Sequence, residues 1–231
     1  MEPETITRRR LYEDVKKRLE DDIFQGRIAP GDQFPSERDL MKRFGVGRPA
    51  IRDALFALQK MGLAQVGGGA RARVTRPTPA ALVNELGGAA RLLMSEAAGA
   101  RQFLEARCFF EVALARNAAR LATDDDIAKL AAALDVHRQA LGNPRALERA
   151  DVAFHFEIVR ITRNPIFTTL HNAVVEWLTD HRTQSMRFGA EAEQIGFRGH
   201  CAIFEAIRDR DPDRAEATMQ SHLAVLLAQF G

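Results

Sequence analysis

Leu11, Val15, Leu19 and Ile23 recur every four residues and draw one apolar stripe along a helix that Gly26 and the Ala29-Pro30-Gly31 turn bring to an end. A second helix starts at Pro35-Ser36-Glu37, where Ser36 can cap it. Leu40, Met41 and Phe44 form its apolar face, and Gly45 stops it. A third begins near Arg48, with Pro49 tolerated in the first turn and Ile51, Leu55, Leu58 and Met61 turned inward. The helical period then ends. Two short segments, Leu63 to Val66 and Arg71 to Thr75, flank Gly67-Gly68-Gly69, which can supply the positive φ values of a tight hairpin. Helix, helix, helix, hairpin spells a winged helix-turn-helix.

Pro77-Thr78-Pro79 breaks regular structure, and everything beyond it reads as helix. A linking helix is expected from Pro79 to Met94, followed by helices near 100–122, 124–141, 144–162, 165–187, 191–209 and 212–230. Thr123, Asn143-Pro144, Asn164-Pro165 and Asp211-Pro212 each read as a cap followed by an early helical residue. The expected fold is mostly α. A winged helix-turn-helix domain spans 1–76, a linker helix 77–96, and an all-α helical bundle 97–231.

Composition narrows the setting. The chain has 231 residues, 46% hydrophobic and 28% charged, which suits soluble globular domains with ample core. It contains no run of about 18 apolar residues and opens on an acidic Met1-Glu2-Pro3-Glu4, so neither secretion nor membrane spanning is expected. Cys108 and Cys201 sit in apolar helical stretches and read as buried structural thiols in a reducing cytoplasm. Charge is uneven: residues 1–76 hold 16 Lys+Arg against 11 Asp+Glu, and the remainder 17 against 20. The basic portion is the one expected to meet phosphates.

Candidate chemistry lies at both ends. Arg48 and Arg52 stand four apart on one face of a helix whose N-terminus can enter a major groove, where guanidinium donors match the paired acceptors of guanine; Arg38 can reach the same groove. Solvated pairing with Asp39 or Asp53 is the competing account of the two arginines. Asp151 and His155 also stand four apart on one helix, and His200 and His222 follow on two later amphipathic helices. A carboxylate and three imidazoles suit a divalent metal, zinc first and nickel or manganese as alternatives. His137, His171 and His181 have no such partners and read as surface or structural residues. Arg107 and Glu111, four apart, read as an intrahelical ion pair.

PSERDLMKRFGVGRPAIRDALFALQKMGL at 35–63, with GGGARARV at 67–74, resembles the winged-helix signature of GntR-type bacterial transcription regulators. The resemblance implies DNA contacts from Arg38, Arg48, Arg52 and Gly69, with Gly47 at a backbone-contact position. Gly47 replaces the hydroxyl residue common there. Asp-x-x-x-His followed by two further histidines in an all-helical domain resembles the FadR branch of that family, in its metal-binding FCD variant. That resemblance implies metal ligation by Asp151, His155, His200 and His222, and effector contacts from Arg107 and Asn164. It also implies a homodimer on a palindromic or repeated double-stranded operator, modulated by a small organic acid such as a sialic or sugar acid. A metal-dependent hydrolase or isomerase and an effector-independent architectural DNA-binding protein are the rival classes.

Overall fold

Capping side chains and glycines set where most elements begin and end in the computed structural model, which describes residues 9–67, 71–96, 98–182 and 189–228. The chain divides between Glu85 and Leu86 into two units. The first holds α1 (Arg9–Phe24), α2 (Glu37–Phe44), α3 (Arg48–Lys60), β1 (Ala64–Gln65) and β2 (Arg73–Val74). Ser36 Oγ accepts from Asp39 N at 3.2 Å to open α2, and Gly45 closes it in the left-handed region at φ 66°. β1 and β2 pair antiparallel, with Ala64 opposite Val74 and Gln65 opposite Arg73. The strands keep fewer paired residues than their sequence suggests. In return, the stretch around Asp32–Phe34, too short and too flanked by proline to read as a strand, bonds along β2 through Phe34 N to Ala72 O and Val74 N to Asp32 O.

Val15, Leu19, Phe34, Leu40, Ile51, Leu55, Leu58, Leu63 and Val74 form the core of this unit. Each large aliphatic side chain contributes about 1.5–3 kcal/mol by leaving water. Leu11 and Met61, expected to face inward, are 48% and 39% exposed. Leu11 lies in the opening turn of α1 and Met61 is the cap residue of α3, so both fall past the packed turns. Asp22 is buried and takes Arg27 Nε and Arg43 Nη1 at 2.6 Å each. The Arg43 hydrogen bond, opposed by burial and aided by Arg27, holds its carboxyl below the usual range.

Helix α4 (Pro79–Met94) runs across the division. The second unit holds α5 (Gly99–Leu121), α6 (Asp124–Ala140), α7 (Pro144–Ile161), α8 (Pro165–Arg182), α9 (Ala190–Arg208) and α10 (Pro212–Ala228). The expected caps act. Thr123 and Asp126 form a capping box, and Asn143, Asn164 and Asp211 accept from Ala146 N, Ile166 N and Arg214 N. Ala115, Ala118 and Ala119 give α5 a small-residue face on which α10 packs. Phe154, Ile158, Ile203, Ile207, Met219 and Leu223 fill the space between the helices. Cys108 and Cys201 are half-buried rather than buried, and burial still pushes the Cys108 thiol up to about 11. No described helix is long and apolar enough to cross a membrane.

Candidate metal centre and DNA-facing surface

Helix α7 carries Asp151 and His155 one turn apart, and α9 and α10 bring His200 and His222 to the same point. One ligand atom from each of the four lies within 4.8 Å of the others. His200 Nε2 is 3.2 Å from His155 Nε2, 3.1 Å from His222 Nε2 and 3.4 Å from Asp151 Oδ1. A single imidazole nitrogen carries one proton or one lone pair, so it cannot bond three such neighbours. Separations of this size are instead the edges of a polyhedron around an ion with bonds of about 2.1 Å. The donor set therefore fits a divalent metal. Burial, then His155, His222 and His137, holds His200 well below the usual imidazole range; burial, then His155, lowers His222 to about 4. Both rings are thereby kept neutral, the form that binds metal. A methyl at Gly199 would run into the His222 ring, so the residue before one candidate donor leaves room for another.

The side chains behind the four candidate donors complete the site. Of the surface and structural readings open for His137 and His171, the structural one holds: both are buried. His137 Nδ1 meets His200 Nδ1 at 2.5 Å, and Phe154 stacks on the His200 ring with centroids 4.3 Å apart. Glu111, 2% exposed, is the hub. Arg107 Nε donates to Glu111 Oε1 at 2.6 Å, His171 Nε2 lies 3.2 Å from the same oxygen, and His155 Nδ1 stands against Oε2. An ionised carboxylate only accepts, which puts the His155 proton on Nδ1 and aims the Nε2 lone pair at the cluster. Burial would raise the Glu111 carboxyl; Arg107 and His155 override it and hold it well below the usual range. Each of α5 to α10 thus gives at least one polar side chain to a single network.

Arg107, expected to pair with Glu111, does so at 4% exposure, and Asp151 is among the charges that act on it. Its Nη2 is buried without a hydrogen-bond partner among the described residues. Asn164, expected at the effector, has its side chain engaged in a cap. It lies in the turn after α7, and its side chain caps α8 by accepting from Ile166 N. The side chain of His181 is outside the described ones.

In the first unit Arg38, Arg48 and Arg52 are exposed around the N-termini of α2 and α3, and Gly47 is the N-cap of α3 with no side chain to offer. Neither Asp39 nor Asp53 pairs with the arginines. Glu37, at the head of α2, takes Arg48 Nε at 3.5 Å and Arg52 Nε at 2.9 Å, because packing α2 on α3 sets it opposite both. Gly69 lies outside the described residues. Arg43 is committed to Asp22 and Arg73 donates to Gly31 O at 2.9 Å, so these two basic residues serve the fold. The Asp22 hub was not foreseen; its partners are 5 and 21 residues away and no short spacing marks them.

A winged helix-turn-helix followed by an all-helical unit with a ligand-like polar centre is the architecture of a two-domain bacterial regulator. Family comparison agrees: the family described as "Bacterial regulatory proteins, gntR family" matches residues 11–74, and the FCD domain matches 102–225. The chain belongs to the GntR family, in the group that carries an FCD domain. It is 42% identical over 226 residues to the HTH-type transcriptional repressor NanR of Klebsiella aerogenes, covering 97% of this chain and 87% of that protein. The NanR of Escherichia coli K12 is 42% identical over 219 residues, covering 94% and 83%. These relatives are named as repressors, not as enzymes. Among solved structures, Streptococcus agalactiae GntR superposes with a TM-score of 0.64 at 20% identity, over 94% of this chain and 99% of that one. E. coli McbR/YncC gives 0.53 at 14% identity, over 95% and 97%. These likenesses show the same fold.

Proposed function

We propose that the protein is a homodimeric, cytoplasmic transcriptional repressor that holds a divalent metal and releases a palindromic or repeated operator when a small organic acid binds. The observation that carries the reading is the convergence of Asp151, His155, His200 and His222 beside Arg107, a buried guanidinium whose Nη2 has no hydrogen-bond partner among the described residues. The repressor class follows from the named relatives. Zinc best suits a donor set of one carboxylate and three imidazoles, with nickel and manganese as alternatives. A bound ion supplies a Lewis-acidic anchor for one oxygen of the acid. Arg107 Nη2 donates to another, and Glu111 keeps that guanidinium in place from behind. A sialic or sugar acid has the required carboxylate.

At the other end Arg48 and Arg52 read base edges, Arg38 reaches the same groove or its flanking phosphates, and Gly47 and Gly69 complete the DNA contacts. Two such readers related by a two-fold axis match a symmetric operator. The domain limits at 76 and 96 serve this division of labour. An acid that binds the DNA-free form better than the DNA-bound form weakens operator binding by the same factor that DNA weakens acid binding. Thermal shift with a panel of sugar acids and small carboxylates, repeated after chelation and paired with an operator mobility shift, tests the reading. Stabilisation that needs the metal and that lowers operator occupancy is the expected result. Acid-insensitive protein, or equal stabilisation after chelation, overturns it.

A further inference from the structure

A second buried polar atom beside Glu111 lacks a hydrogen-bond partner among the described residues, His171 Nδ1, and it complements Arg107 Nη2. Arg107 Nη2 is always a donor. His171 turns Nε2 toward Glu111 Oε1 at 3.2 Å, and since a carboxylate only accepts, a ring that carries a single proton holds it on that nitrogen. In that tautomer Nδ1 has a lone pair, buried and without a partner among the described residues. Both side chains are anchored on the same oxygen, because Arg107 Nε donates to Oε1 at 2.6 Å. The donor and the acceptor thus belong to two side chains held on one carboxylate oxygen.

Buried donors and acceptors left unmatched are costly, so this pair describes what the site takes. A carboxylate satisfies Arg107 but offers nothing to a lone pair. Only a group with its own O–H or N–H can fill the histidine position, and a hydroxyl carried on the carbon skeleton of the acid does so. We infer that His171 is a specificity-determining residue that accepts a hydrogen bond from a hydroxyl of the acid held at Arg107, so that the site selects hydroxy acids over their unhydroxylated parents. This rests on the acid-binding reading above.

The test is calorimetric titration of zinc-loaded full-length protein with 2-hydroxybutyrate, 3-hydroxybutyrate and butyrate, and with gluconate and hexanoate. At least one hydroxylated acid is expected to bind about 10-fold or more tightly than its parent, because a site built to bond a hydroxyl rejects the analogue that lacks it. His171→Phe, which keeps a ring but no acceptor, brings that ratio to near unity while the parent acid still binds; His171→Asn, which keeps a short acceptor, retains part of it. Equal binding of the pairs by the unaltered protein, as expected when water alone fills the histidine position, overturns the inference and leaves the acid-binding reading standing. So does a ratio that survives in His171→Phe. Protein that holds zinc and binds no acid overturns both.

Discussion

The two units use the same residue type in opposite ways. Arg48 and Arg52 are 60% and 64% exposed and share one partly exposed carboxylate, whereas Arg107 is 4% exposed against a carboxylate that is 2% exposed. Ion pairs in water are worth little, so phosphates or base edges can displace Glu37 at small cost. A buried pair is expensive to open. A DNA reader needs guanidinium groups it can release; a ligand pocket needs one already desolvated and aimed.

The sharpest way to break this comparison is Arg107→Ala. Leaving Glu111 buried without its cation is expected to destabilise the fold by about 3–5 kcal/mol, read by chemical unfolding. Arg107→Lys keeps the charge and most of the stability but loses the Nη2 donor, so it isolates the effect on acid binding. If Arg107→Ala costs no more than Arg48→Ala, the contrast between the two regions is false.

Acidification should separate the units next. His222 is lowered from 6.5 to about 4 by burial and His155, so the unfolded chain takes up a proton in that interval which the fold refuses. The stability concerned is complete above pH 6.5 and is lost as pH falls toward 4. Roughly 2–3 kcal/mol should go from the chelated protein between pH 7.5 and 4.5, at about 1.4 kcal/mol per unit. His200, lowered in the same direction, adds to the loss. A flat urea midpoint across that range rejects the buried, neutral state of these rings.

Arg52→Ala should weaken specific operator binding by about 1–3 kcal/mol and relax base preference, with acid-induced stabilisation unchanged. Fluorescence anisotropy against operator and scrambled DNA measures it. The smallest effect belongs to Glu37→Gln. Freeing both arginines should tighten DNA binding by less than about 1 kcal/mol, and the gain should shrink as salt rises. A marked loss of affinity would instead make Glu37 a positioning residue for the two arginines.

Short-range signals carried much of the fold. Ser36, Thr123, Asn143, Asn164 and Asp211 cap helices through bonds to backbone within three residues, so the element order and most helix limits could be read from the chain. The metal-ligand candidates were legible too, because Asp151 and His155 share a helix face and two isolated histidines follow on amphipathic stretches. For His137 and His171, which the sequence left as surface or structural residues, the partners were not legible for the complementary reason. Their partners, His200 and Glu111, lie 63 and 60 residues away, and no spacing rule spans that distance. Glu37 was missed as the partner of Arg52 on the same ground, at a separation of 15.

Alone, the sequence determined the winged helix, the helical second half, the family and the chemical types of the four converging ligands, since periodicity, caps and donor identity are local properties. Only the tertiary structure decided that Glu111, besides its expected pairing with Arg107, joins His155 and His171, and that Arg107 Nη2 and His171 Nδ1 beside it lack a hydrogen-bond partner among the described residues. Burial is the physical reason. Which polar groups lose water, and which then lack a partner, depends on how α5 to α10 pack, and no segment of the chain carries that information by itself.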